Sequence, residues 1–137
     1  MVRLGLVISK FDKTGDVMTA MEAAAERAVA ETDSEIVSRL RVPGSYDTPL
    51  AADRLARKDD IDAVAVLGAI ISGETDHDQI IATAAASGLT SVSLDRDTPV
   101  TLGIIGPGMT ENEARDRASY GAEAVKSAIE LATTSDT

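Results

Sequence analysis

The 137-residue chain holds one histidine, His77, and it falls in the run Gly68-Ala69-Ile70-Ile71-Ser72-Gly73-Glu74-Thr75-Asp76-His77-Asp78. Imidazole exchanges protons near neutral pH, so His77 is the candidate acid/base. Thr75 and Asp78 stand three apart, the T-x-x-D form of a capping box that opens a helix. With Thr75 at the N-cap, the backbone N–H groups of Gly73, Glu74 and Thr75 face outward without helical partners. A helix start of this kind binds anions, phosphate above all. The carboxylates beside it would repel phosphate, so a nearby cation is required. Arg117 and Arg115 are the candidates, although each alone also fits ordinary helix-surface charge. A metal site on Glu74, Asp76, His77 and Asp78 is disfavoured. Adjacent residues at a helix start do not converge on one ion, and no second histidine exists.

Phe11, the only phenylalanine, follows the first apolar run. It fits either a loop residue tucked against the core or a flat surface on which a ring could stack. Tyr46 and Asp47 follow the turn signal Pro43-Gly44.

These groups need elements to position them. Val2 to Ile8 reads as a strand buried on both faces. A helical stripe of Val17, Met21, Ala24, Ala25 and Ala28 lies within Thr14 to Glu31. Ser34 to Val42 is a second strand with Ile36, Leu40 and Val42 on one face. Thr48 and Pro49 fit the N-cap and first position of a second helix. Ala63 to Leu67 is a third strand, and helical spacing then runs from His77 through Gly88 towards Val92. Val100 to Ile105 is a fourth strand, closed by Gly106-Pro107-Gly108. Thr110 and Glu113 form another capping box, and a last helix spans Tyr120 to Ala132. Residues 1–132 thus form one domain, and 133–137 a frayed tail. The alternation implies an α/β fold, a four-stranded parallel sheet between helices with right-handed crossovers. Ligands bind such sheets outside the carboxyl ends of the strands, where Phe11, Tyr46, Asp47 and His77 can converge.

Composition excludes several classes. The net charge of −10 disfavours nucleic acid and anionic membrane. With no cysteine there is no thiol chemistry, and no apolar run approaches the ~20 residues that span a bilayer. The N-terminus enters a strand pattern without signal-peptide character, so a cytoplasmic location is expected. Only four lysines stand against abundant aspartate, a surface suited to concentrated salt.

Val42-Pro43-Gly44-Ser45-Tyr46-Asp47-Thr48-Pro49-Leu50-Ala51 resembles the V-P-G-[A/S]-[F/Y]-[E/D]-x-P-L-A segment of the lumazine synthases. Gly68 to His77 is similar to their G-[A/C]-V-I-x-G-E-T-x-H segment, and Pro99 to Ile104 and Tyr120 to Val125 fit their later segments. Gly106-Pro107-Gly108-Met109-Thr110 looks like the archaeal branch. The resemblance implies a flavodoxin-like three-layer αβα sandwich and a condensation needing neither cofactor nor metal. Its substrates are 5-amino-6-(D-ribitylamino)uracil and 3,4-dihydroxy-2-butanone 4-phosphate, and its product is 6,7-dimethyl-8-ribityllumazine, in riboflavin synthesis. Carried over, Phe11 stacks on the pyrimidine and Ser45, Tyr46 and Asp47 hold the ribityl chain. Ala69, Ile70 and Ile71 line the pyrimidine pocket. Gly73, Glu74 and Thr75 cradle phosphate, Arg117 supplies the cation, and His77 is the acid/base. Leu102 contributes across a subunit interface, in a homopentamer or in twelve pentamers forming an icosahedral shell. Ser72 and Leu102 depart from bacterial relatives, which carry arginine and an aromatic there. Competing readings are an archaeal-type riboflavin synthase, which has no use for a phosphate cradle, and a non-catalytic flavin- or phosphate-binding or shell-forming module.

Overall fold

The computed structural model describes residues 1–10, 16–71 and 76–134. Four strands, β1 (Arg3–Ser9), β2 (Glu35–Val42), β3 (Ala63–Ala69) and β4 (Val100–Ile105), form one sheet in the order β2-β1-β3-β4. Every pairing is parallel. The helices are α1 (Val17–Ala30), α2 (Thr48–Ala56), α3 (His77–Arg96), α4 (Glu111–Asp116) and α5 (Tyr120–Thr133).

Side chains alternate across a strand, and both faces of this sheet are covered. Leu4, Leu6 and Ile8 of β1 join Met21 and Ala25 of α1 and Val125 of α5 in one core. Val7, Val64 and Val66 join Ala52 and Leu55 of α2 and Leu89 of α3 in the other. With almost no aromatic side chains, the layers close through small residues. A Cβ on Gly121 of α5 would lie 2.2 Å from the Met21 carbonyl of α1, and one on Gly5 2.9 Å from Leu55. This is the parallel sheet between helices expected from the element order, and the flavodoxin-like αβα sandwich implied by the resemblance.

Four local expectations need correction. The second strand does not keep one face. Leu4 opposes Ile36 but Gly5 opposes Ser38, so Val37 is an extra residue. Such a bulge reverses the side-chain alternation. Ile36 packs with the α1/α5 core, whereas Leu40 and Val42 pack with the α2/α3 core. The third strand continues to Ala69, because Gly68 and Ala69 pair with Ile104 and Ile105. The helix α2 begins at Thr48 rather than after it, preceded by a 3-10 turn over Ser45–Asp47. The Thr48 hydroxyl donates to the Ser45 carbonyl at 2.8 Å, tying the turn down instead of capping the helix. The last helix runs one residue past Ala132, to Thr133.

Candidate functional site

The carboxyl ends of the parallel strands lie along one rim of the sheet. The sheet order places the topological switch between β1 and β3, the position where this class of sheet binds ligands. The turn Ser45–Asp47 packs against the end of β3. A Cβ on Gly68 would lie 2.8 Å from the Ser45 hydroxyl oxygen, so only glycine in β3 lets the turn sit this close. Ser45 is buried, and the Asp47 carboxylate accepts the Gly44 N–H at 3.0 Å. Tyr46, by contrast, is 63% exposed and projects from the braced turn.

Ala69 and Ile70 are buried at the end of β3, with Ile71 half-buried beyond them. The Ile70 N–H donates to the Ile105 carbonyl at 2.9 Å. The following turn presses on this segment: Gly106 has φ 86°, and a Cβ there would lie 2.1 Å from the Ile70 carbonyl. The same Cβ would lie 3.1 Å from Met109, a fully buried side chain. Met109 in turn receives Arg117, whose Nη1 stands 3.7 Å from its sulfur. A contiguous arc therefore runs from Ser45 through Gly68, Ile70, Gly106 and Met109 to Arg117.

Between the two candidate cations the geometry discriminates. Arg115 is engaged by Asp16 at 3.2 Å and by Asn112 at 2.9 Å, on the α1 side. Arg117 has a looser hold, with Glu113 at 3.7 Å, and lies at the end of the arc.

His77 is exposed as the first residue of α3. The expected cap shifts by one residue: Asp76, not Thr75, is the N-cap. Its carbonyl accepts from Gln79 at 3.0 Å and so starts the helical ladder. The Asp78 Oδ1 accepts the Gln79 N–H at 3.1 Å. The second capping box is present as expected, with Thr110 and Glu113 bonded reciprocally at 3.1 and 3.2 Å. Phe11, Ser72, Gly73, Glu74 and Thr75 lie outside the described residues.

Leu102 stands apart from the arc. It pairs with Val66 midway along β4, an edge strand of the sheet, and is 54% exposed. It borders a shallow groove of about 290 Å³ lined by Thr101, Leu102, Tyr120, Glu123, Ala124 and Ser127.

Sequence reading missed Met109 and Glu113 as supports of Arg117. The four-residue spacing of Glu113 and Arg117 was the available signal. Nothing in residue types pointed to the sulfur contact. No group of three or more potential metal ligands occurs among the described residues. None of their helices is long and apolar enough to cross a membrane.

Fold and site together define a parallel α/β protein of flavodoxin type, with polar groups and a cation gathered at the carboxyl rim of the sheet. The model of the 6,7-dimethyl-8-ribityllumazine synthase family matches residues 1–136, and the chain belongs to that family. It is 60% identical over 131 residues to the 6,7-dimethyl-8-ribityllumazine synthase of Halobacterium salinarum, covering 96% of this chain and 97% of that protein. Identity to the Halorubrum lacusprofundi enzyme of the same name is 58%, covering 96% and 97% of the two chains. For the Methanococcus maripaludis enzyme it is 44%, covering 96% and 94%.

Proposed function

We propose that this chain condenses 5-amino-6-(D-ribitylamino)uracil with 3,4-dihydroxy-2-butanone 4-phosphate to give 6,7-dimethyl-8-ribityllumazine, a transferase step of riboflavin synthesis. The family match along nearly the whole chain carries this reading. The ring amine attacks the ketone carbon, and one water leaves to form an imine. Elimination then expels phosphate, and ring closure by the ribityl-bearing nitrogen releases a second water.

Each step needs positioning and proton transfer rather than redox chemistry. Ser45, Tyr46 and Asp47 hold the ribityl chain, a role supported by the bracing of their turn over β3. Ala69, Ile70 and Ile71 form the apolar wall for the pyrimidine, and Phe11 stacks on it. The amides of Gly73, Glu74 and Thr75 cradle phosphate, and Arg117 is its cation. His77 moves the protons, and its exposure at the head of α3 leaves it accessible to a substrate. Leu102 serves the pocket of a neighbouring copy in a homopentamer or a larger shell. Its exposed place beside a groove supports that role. The net charge of −10 supports work in a salt-rich cytoplasm, without nucleic acid or membrane as partner.

The test is direct assay of the purified chain with both substrates across salt concentration, following lumazine absorbance and released phosphate. Formation of both products is expected; none at any salt would overturn the reading. Arg117→Ala is expected to raise KM for the phosphorylated substrate about tenfold or more, the size of a lost charge-assisted contact. His77→Ala is expected to slow turnover by about tenfold to a hundredfold, the low end for general acid–base loss. An unchanged turnover would make the imidazole a bystander.

A further inference from the structure

Glu113 occupies the third position of α4, and both halves of its capping box are formed. Its Oε1 accepts the Thr110 N–H at 3.1 Å, while the Thr110 hydroxyl accepts the Glu113 N–H at 3.2 Å. These bonds fix where the carboxylate stands. They also hold its carboxyl below the ordinary 4.5, chiefly through the Thr110 N–H, so it is an anion throughout the working range. The other oxygen, Oε2, lies 3.7 Å from Nη2 of Arg117. On its other side the guanidinium rests on the Met109 sulfur at 3.7 Å. About 40% of the Arg117 side chain remains open to solvent.

We propose that Glu113 is the resident counter-ion of Arg117, occupying the guanidinium while no phosphate is bound and lowering the affinity of the site for phosphate. The inference rests on Arg117 being the cation for the phosphorylated substrate. A separation of 3.7 Å is too long for a hydrogen bond, and both partners are largely exposed. A dianion offering short, paired contacts to the guanidinium outcompetes such a neighbour for it. Glu113 does not then swing away, because the cap of α4 retains it. Its charge stays close to the bound phosphate and opposes it. That opposition favours departure of the phosphate once elimination has freed it. Glu113 touches no reacting atom on this account; it sets the affinity of the residue that does.

The experiment uses the full chain, with inorganic phosphate as the probe. Phosphate binding is measured by calorimetry and by inhibition against the phosphorylated substrate. It is done at the lowest salt that keeps the wild type folded, and again in molar salt. Glu113→Gln keeps an oxygen for the Thr110 N–H but removes the charge. It is expected to bind phosphate about two- to fivefold tighter at low salt, the scale of an exposed ion pair. The gain fades in molar salt, where screening acts within ~3 Å. KM for the amine substrate stays unchanged. A merely structural residue would not produce a salt-dependent gain confined to one substrate. Equal or weaker phosphate binding by Glu113→Gln, with Arg117→Ala still weakened, would overturn the counter-ion role alone. Unchanged phosphate binding in Arg117→Ala would overturn both assignments.

Discussion

The two edges of the sheet are finished in opposite ways. On β2 the bulge at Val37 turns Arg39 and Arg41 towards α1, where Glu22 receives both. Arg39 also reaches Glu26 at 2.9 Å. Charged side chains on a bulged edge strand discourage pairing with another chain. On β4 the outward residues are Leu102, 54% exposed, with Tyr120 of α5 beside it, 51% exposed. The ion pair at its groove, Lys126 with Glu123 at 3.9 Å, lies on α5 and leaves the strand itself uncharged. One edge is closed by its own charges; the other is the edge that the proposed homopentamer would cover with a second copy.

Placing a carboxylate on each edge tests the contrast most strongly. If β4 is the edge used by the proposed homopentamer, Leu102→Asp is expected to abolish assembly, read as a fall to the protomer mass in sedimentation, with the circular dichroism of the fold unchanged. Val37→Asp is the matched control and is expected to leave the assembly intact. If the β2 variant dissociated the assembly and the β4 variant did not, the edges would have been assigned the wrong way round.

A smaller effect sharpens the β4 side. The Thr101 hydroxyl donates to the Ala124 carbonyl of α5 at 2.8 Å, fixing strand to helix. At Gly103 an added Cβ would lie 2.5 Å from the Val66 carbonyl and 2.7 Å from Ala124 Cβ. Backbone cannot yield there as a flexible side chain would. Gly103→Ala is therefore expected to cost about 1–3 kcal/mol in denaturant unfolding, the range for overpacked cores. A neutral result would mean that β4 docks more loosely than the contacts indicate.

Much of this was legible in the residues. Strand order and layers follow from apolar runs alternating with helical stripes, and local periodicity survives in the folded chain wherever an element is buried on a regular face. The faces of β2 were not legible, because a bulge is set by what the strand meets on both sides. Ile36 is needed by one core and Leu40 by the other, and alternation alone cannot announce the extra residue. The start of α3 was misplaced by one position: the helix opens at His77 with no side-chain bond from Asp76, so residue type did not mark the boundary. His77 stood out by type, as the single histidine; Arg117 and Arg115 could not be told apart by type or spacing, and only the family resemblance favoured Arg117. Met109 did not stand out, since a methionine in a loop carries no sign that it will seat a guanidinium. Gly68 reads as a turn residue but lies in a strand, where its missing side chain makes room for Ser45.

The smallest expected effect concerns the β2 edge. The hydrogen bond from Arg41, with that from Arg39, holds the Glu22 carboxyl below its ordinary 4.5. Only 14% of the Glu22 side chain is exposed, but Arg39 and Arg41 are 34% and 50% exposed, so solvent screens the pairs. Glu22→Gln is accordingly expected to cost about 1 kcal/mol at neutral pH. The sign of its pH dependence follows from linkage. A carboxyl whose folded value lies below its unfolded value adds stability that is fully present above 4.5. That stability is lost as pH falls from there through the lower folded value. The gap between wild type and Glu22→Gln should therefore be constant from neutral pH down to about 4.5 and close below it. Urea unfolding at stepped pH, with salt held fixed, measures the gap. A gap that persisted in acid would assign the loss to packing of the Glu22 stem against β2 rather than to its charge.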